Sequence, residues 1–403
     1  MPEFQVPLLA DHHSHPLLYA ALQKAVDLSE VFDLEEACDL ISESAGKNIQ
    51  LTVAHGWKDQ RFEFPSLRLE QLPPLAVFNV SLHQLLINSQ GQSLLAKTYG
   101  DSIHQVSNRR WYESHLPTVL NWFAHLTGSA ESLHQFYGHL EALGVWSAEE
   151  MLLVGEQEIE WFQATELIER TKFWSAPETF DMLSHGARHA VTGLKFFTDG
   201  ALGARSAALQ SPYSDVSAPK SNHGMLIHSD SQLLKQLGSA SHTQKSIAIH
   251  AIGDRAIEQT LTTLERLGPS RNQFPKIRLE HAQLINLQQA QRAKRMGLIL
   301  SMQPNFNSDS VDYKDRLPVD YPARNNPFRM LIDQVEFQPG VDLLFGSDGM
   351  PHGAAFALQQ ALFPQHEQQR LSLDEFVAGY GSQSAQTFRV SIDPPNELPD
   401  SDV

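Results

Sequence analysis

Ser246-Ile247-Ala248-Ile249-His250 is a compact apolar run that ends in an imidazole, and Lys276-Ile277-Arg278-Leu279-Glu280-His281 repeats the form one helix later. Between them, Ala251-Ile252-Gly253-Asp254-Arg255 opens a helix predicted to run to about Leu267. Strand, crossover helix and strand make a βαβ unit, and such a crossover pairs its strands in parallel. The rhythm continues on both sides. Leu194-Lys195-Phe196-Phe197 is an earlier strand that runs into Thr198-Asp199-Gly200, while residues 298–302 and 341–346 are later ones, with a helix near residues 287–295. Residues 150–155 read as a strand and 156–170 as a helix. Toward the start, residues 4–10, 49–54 and 75–80 are further apolar runs, the last two followed by His55-Gly56 and Ser81-Leu82-His83. The stretch 84–145 reads as a mostly helical insertion. Its histidines (His104, His115, His125, His134, His139) show no ligand-like spacing and read as surface or helix-packing residues. Short β-rich runs alternating with helices predict an α/β protein built on a parallel sheet.

A length of 403 residues fits one large α/β barrel with insertions or two ordinary domains. The formal net charge of −17 offers no field for phosphates or anionic lipid, so neither nucleic acid nor membrane is an expected partner. Cys38 is the single cysteine, which excludes an intrachain disulfide and a cysteine-rich zinc module. Met1-Pro2-Glu3-Phe4 lacks a basic segment followed by an apolar one, and no apolar run reaches the ~18 residues of a membrane span. A soluble cytoplasmic protein is expected. Two long loops, 201–228 and 304–339, have the length of lids or binding loops. The acidic, proline-rich tail 391–403 is expected to be disordered.

Asp11-His12-His13-Ser14-His15 follows the first apolar run. On a strand His13 and His15 share a side and His12 takes the other, so His12 reads as non-ligating. Among 19 histidines such spacing alone leaves metal ligation and mere packing equally open. Taken in order, however, the strand ends carry His13 and His15, then Lys195, His250, His281 and Asp348. That is where a parallel α/β barrel collects its site, and four imidazoles with a carboxylate suit zinc or a similar divalent ion. Lys195 sits among apolar neighbours. It is either paired with Asp199 or a loop carboxylate, or an amine of depressed pKa able to add carbon dioxide. A Schiff-base lysine is a third option that the histidines disfavour. Gly253-Asp254-Arg255 reads as a turn with Asp254 capping the helix, not as a phosphate loop. Ser301-Met302-Gln303-Pro304 lacks the glycines of a nucleophile elbow. His352 is either substrate-facing or a helix-start residue, and Arg109-Arg110-Trp111-Tyr112 reads as a solvated helix segment.

The chain resembles the metal-dependent amidohydrolase superfamily, in its amidohydrolase-3 (YtcJ-like) branch. The resemblance rests on Asp11-x-His13-x-His15, on residues 194–205 with Lys195, Asp199 and Arg205, on His250-Ala251-Ile252-Gly253-Asp254-Arg255-Ala256, on Glu280-His281-Ala282 and on Gly346-Ser347-Asp348. The segment from Leu82-His83 to Ser89 adds to it. What it implies is a distorted TIM (β/α)8 barrel with helical and loop insertions over residues 1–390. It further implies two divalent ions, zinc with manganese or cobalt as alternatives. His13, His15 and Asp348 would hold one ion, His250 and His281 the other, and carbamylated Lys195 would bridge them. A metal-bridging hydroxide would attack an amide-type C–N bond (N-acyl, N-formyl or cyclic amide), with Asp348 as base and then acid. His83, Asp199 and Arg205 would contact the small-molecule substrate. Relatives carry a β-sandwich flanking the barrel, for which the chain has no room on either side. A homo-oligomer stays open. The alternatives are a mononuclear, deaminase-like or other-bond hydrolase with an unmodified Lys195, and a non-catalytic metal-binding regulatory barrel.

Overall fold

The computed structural model describes residues 2–46, 51–214, 222–381 and 386–392. Eight strands form one parallel sheet: β1 (Leu9–Ser14), β2 (Val145–Glu150), β3 (Thr171–Ser175), β4 (Val191–Phe197), β5 (Ser246–Ala251), β6 (Ile277–His281), β7 (Ile299–Met302) and β8 (Leu343–Phe345). They lie side by side in chain order. Every residue of β5 and β6 is buried, as expected where helices cover one face and barrel interior the other. The seam between β1 and β8 is closed by turn and side-chain bonds. Asp348 N donates to His13 O at 2.7 Å, and Asp11 accepts from Ser347 N at 2.9 Å and from Ser347 Oγ at 2.5 Å. Gly346 makes the approach possible, since a Cβ there would lie 2.4 Å from His13 N. The sheet is a nearly closed TIM barrel, as anticipated.

The elements differ from expectation in five places. The strand expected over 150–155 is β2, which starts five residues earlier and ends at Glu150, and the helix expected to run to 170 ends at Ala164. The first run is two strands, because Glu3–Pro7 turns away to pair antiparallel with Thr387–Ser391 before β1 begins. β3 was not anticipated; Lys172, whose side chain is exposed, interrupts its apolar pattern. The helix Asp254–Arg266 is capped at Gly253 without a side-chain bond, so Asp254 is not its cap. Ala208 O would lie 1.9 Å from a Cβ at Gly253, and the Asp254 carboxylate instead accepts from Gln210 N and Tyr321 OH and pairs with Arg324. The excursion from the barrel begins at 17, not 84.

That excursion, Leu17–Ser132, is a compact unit apart from the barrel unit of Met1–Pro16 with Leu133–Val403. It has its own sheet of Val26–Asp27, Thr52–Trp57, Leu75–Asn79 and Leu85–Ile87, the last strand antiparallel. Leu28, Val31, Ile41, Trp57, Leu75 and Val77 are among its buried core. The runs expected as barrel strands near 49–54 and 75–80 therefore belong to this sheet; residues 47–50 lie outside the described residues. His104, His115, His125, His134 and His139 are exposed, in keeping with a surface reading.

Within the barrel unit, the loop after β7 is not structureless. It contains helical turns at Pro304–Ser308, Asp309–Asp312, Tyr321–Arg324 and Met330–Gln334. Its Leu317 and Tyr321 pack with Ala201, Leu202, Leu209 and Tyr213 of the loop after β4. Part of that loop (215–221) and residues 393–403 of the tail lie outside the described residues; Ser391 and Ile392, expected to belong to the disordered tail, are instead the end of a strand and a buried residue. No described helix is long and apolar enough to cross a membrane.

Candidate metal centre

The C-terminal ends of β1, β4, β5, β6 and β8 each deliver one or two of the singled-out side chains. His13 lies within β1, and its Nδ1 donates to Glu280 Oε2 at 2.5 Å. Its Nε2 lies 3.3 Å from Lys195 Nζ and 3.6 Å from Asp348 Oδ1. His15, just past the strand, brings Nε2 to 3.2 Å from the same oxygen, while its buried Nδ1 has no hydrogen-bond partner. His281 closes β6 with φ of +67°, and Asp348 follows β8 with φ of +54°. Both are left-handed backbones that a non-glycine residue adopts under constraint, a feature that clusters at functional sites. His281 Nδ1 donates to Gln303 Oε1 at 2.8 Å. One ligand atom each from His13, His281 and Asp348 lie within 4.8 Å of one another. The His250 ring centroid is 4.5 Å from that of His281, and its Nε2 donates to Gly200 O at 3.1 Å. All six residues at the strand ends thus meet in one region of the barrel unit.

Burial pushes the His13 and His281 imidazoles well below their usual range, so both are neutral and keep a lone pair. Burial also draws the Lys195 amine down to about 8, against the pull of Glu280 and Asp348. For Asp348 burial acts upward, but the hydrogen bond from His15 and the Lys195 ammonium act against it, and the carboxyl is held below its usual range. Neutral imidazoles, a carboxylate, a lysine amine at 3.3 Å and a buried His15 Nδ1 that makes no hydrogen bond and has Glu150 Oε1 3.9 Å away form a donor set that fits a divalent cation.

Several residues of the centre were not singled out from sequence. Arg278 lies in the barrel interior beside Glu280 and Glu149, and Gln303 orients His281. The signal was present in Ile277-Arg278-Leu279-Glu280, where opposite charges two apart share one side of a buried strand. His12 turns to Glu149, with Nδ1 to Oε1 at 2.9 Å. Asp199 is fully buried and accepts from Ala208 N, Ile252 N and Gly253 N at 2.8–3.0 Å, with His250 Nε2 3.4 Å away. Its carboxylate therefore ties the loop after β4 to the end of β5. Arg205 is half-buried in that loop, at φ of +53°. His83 belongs to the second unit, where its Nδ1 donates to buried Glu113 at 2.8 Å. His352 does not start a helix, because the helix begins at Ala354. Its Nε2 lies 3.1 Å from Ser14 Oγ and its ring 5.1 Å from Phe136, and burial pushes it down to about 3.

A nearly closed parallel barrel with histidines, a lysine and an aspartate at its strand ends defines a class, and comparison with known proteins gives the family. Residues 118–391 match the model of the amidohydrolase family, and the chain belongs to that family. It is 33% identical over 187 residues to the putative amidohydrolase YtcJ of Bacillus subtilis (strain 168), covering 45% of this chain and 34% of that one. It is 31% identical over 121 residues to the protein LONG AFTER FAR-RED 3 of Arabidopsis thaliana, covering 30% and 20%. The matched stretches thus span about a third and a fifth of those relatives. Crystal structures of uncharacterized metal-dependent hydrolases from Pyrococcus horikoshii OT3 and Pyrococcus furiosus share the fold. Their TM-scores are 0.66 and 0.64 at 22% and 20% identity, covering 94% and 97% of this chain and 80% and 88% of theirs.

Proposed function

We propose that the chain is a metal-dependent hydrolase that cleaves an amide-type C–N bond in a small N-acyl, N-formyl or cyclic amide. The observation that carries this reading is the convergence of His13, His281 and Asp348 ligand atoms within 4.8 Å, beside Lys195. His13, His15 and Asp348 would hold one divalent ion and His250 and His281 a second, with Lys195 between them. Ions bound there would polarise the substrate carbonyl and acidify the attacking water. Asp348, a carboxylate at neutral pH, accepts that water's proton and returns it to the leaving nitrogen. Burial, by drawing the Lys195 amine down to about 8, favours the unprotonated form that would add carbon dioxide and release a proton as the carbamate forms. No nucleic acid or membrane enters this reading.

The experiment is a screen of N-acyl and N-formyl compounds against protein loaded separately with zinc, manganese and cobalt. Turnover that needs a loaded metal supports the hydrolase, and activity indifferent to chelation overturns it. Carbon-13 bicarbonate should label Lys195 as a carbamate in the loaded protein; an unlabelled lysine in an active enzyme would leave the mononuclear alternative.

A further inference from the structure

Beneath the metal centre, Arg278 is nearly inaccessible to solvent and gathers groups from five strands. Its Nε donates to Glu280 Oε1 at 2.7 Å and its NH1 to Glu149 Oε2 at 2.5 Å. Its NH2 donates to the His12 carbonyl at 2.7 Å, to Ser301 Oγ at 2.8 Å and to Glu280 Oε2 at 3.1 Å. The guanidinium lies 4.8 Å over the ring of Trp174, whose Nε1 donates to Glu149 Oε2 at 2.7 Å. Glu280 is wholly buried, and each of its oxygens receives donors alone: Arg278 Nε on one, Arg278 NH2 and His13 Nδ1 on the other.

We infer that Glu280, locked by Arg278, is the positioning residue that fixes the tautomer of His13, keeping the proton on Nδ1 and the Nε2 lone pair toward Lys195 and Asp348. A neutral imidazole has one N–H, and a carboxylate can only accept, so the bond to Glu280 decides which nitrogen carries the proton. Carboxylate partners of this kind set ring orientation and ligand basicity in metal sites. His281 contrasts with His13, since a neutral amide, Gln303, holds its Nδ1 at 2.8 Å. This inference rests on His13 being a metal ligand, as proposed above.

The geometry says what Glu280→Gln would do. Arg278 NH2 retains two other acceptors, the His12 carbonyl and Ser301 Oγ, whereas Nε depends on Glu280 Oε1. A glutamine therefore turns its oxygen to Nε and its amide N–H toward His13. His13 Nδ1 must then accept, and its proton moves to Nε2, on the side meant for metal.

The test has two readouts. Long-range proton–nitrogen correlation spectra of the metal-free chain, with His13 assigned by its loss in His13→Asn, should place the wild-type proton on Nδ1 and the Glu280→Gln proton on Nε2. Cobalt(II) titration followed by visible absorption should show binding weakened about 10–100-fold in Glu280→Gln. A wild-type proton on Nε2 overturns the inference, as does unchanged cobalt affinity in the variant. Should Glu280→Gln not fold, the wild-type spectrum alone decides. If wild-type protein binds no divalent metal, the hydrolase reading fails, and the tautomer result still stands or falls by itself.

Discussion

Lys195 is 1% exposed, and a lysine so placed destabilises the fold that contains it. Its amine is drawn from 10.5 in the unfolded chain to about 8 in the folded one. Between those values the unfolded chain binds the extra proton, so stability rises with pH through that window, and below it the full penalty, about 3 kcal/mol, is in force. Lys195→Met should therefore make the metal-free protein more stable at pH 7, by an increment that shrinks toward pH 10, while metal uptake and turnover are lost. Urea unfolding at the two pH values measures this, and a variant less stable at pH 7 would mean that the lysine is already satisfied. Asp348 is the opposite case. Its carboxylate is favoured by its neighbours, and general bases contribute about 10²–10⁴-fold in rate. Asp348→Asn should cost turnover in that range and also lower the unfolding midpoint of the metal-free protein near pH 7, by an increment that shrinks as pH falls below 4. Wild-type turnover in that variant would place the base elsewhere.

The elements explain what could be read from sequence and what could not. A strand buried on both faces is an apolar run, and a polar residue at its end stands out, which is why His250, His281, Lys195 and Asp348 were legible. β3 was not, because Lys172 is the second of its five residues and Arg170 stands just before them. Thr52–Trp57 and Leu75–Asn79 were legible as strands, but local pattern does not encode which sheet a strand joins, so the second unit went unseen. Arg278 and Glu280 were hidden differently: charge inside an apolar strand is ordinarily read as a solvated face, and only the closed barrel makes that face interior. The seam is the element most sensitive to a single atom. A Cβ at Gly346 would lie 2.4 Å from His13 N and 2.8 Å from Asp11 Oδ1, both backed by β1. Gly346→Ala should lower stability by about 1–3 kcal/mol, the usual cost of overpacking, and loosen metal binding with it. Thermal unfolding and metal content of the purified variant measure both. A variant as stable as wild type would show that β1 and β8 can part freely.

At the scale of the whole molecule, the candidate ligands are spread from His13 to Asp348 and over five of the eight strands, so a bound ion would link strands whose own ladder stops at the seam. A ligand that binds only the folded state stabilises it by about 2.7 kcal/mol at a hundredfold excess over Kd. Metal removal should then lower the unfolding midpoint, and the loss should be concentrated where the ligands are. Three tryptophans (Trp146, Trp161, Trp174) report on the barrel unit and three (Trp57, Trp111, Trp122) on Leu17–Ser132, which supplies none of the six candidate ligands. Hydrogen exchange with and without bound zinc gives the finer map. Protection should rise in β1, β4, β5, β6 and β8 and change least in Thr52–Trp57 and Leu75–Asn79 of the second unit. If zinc binds and those barrel strands exchange as before, the ion sits elsewhere, and the strand-end residues are neighbours without being ligands.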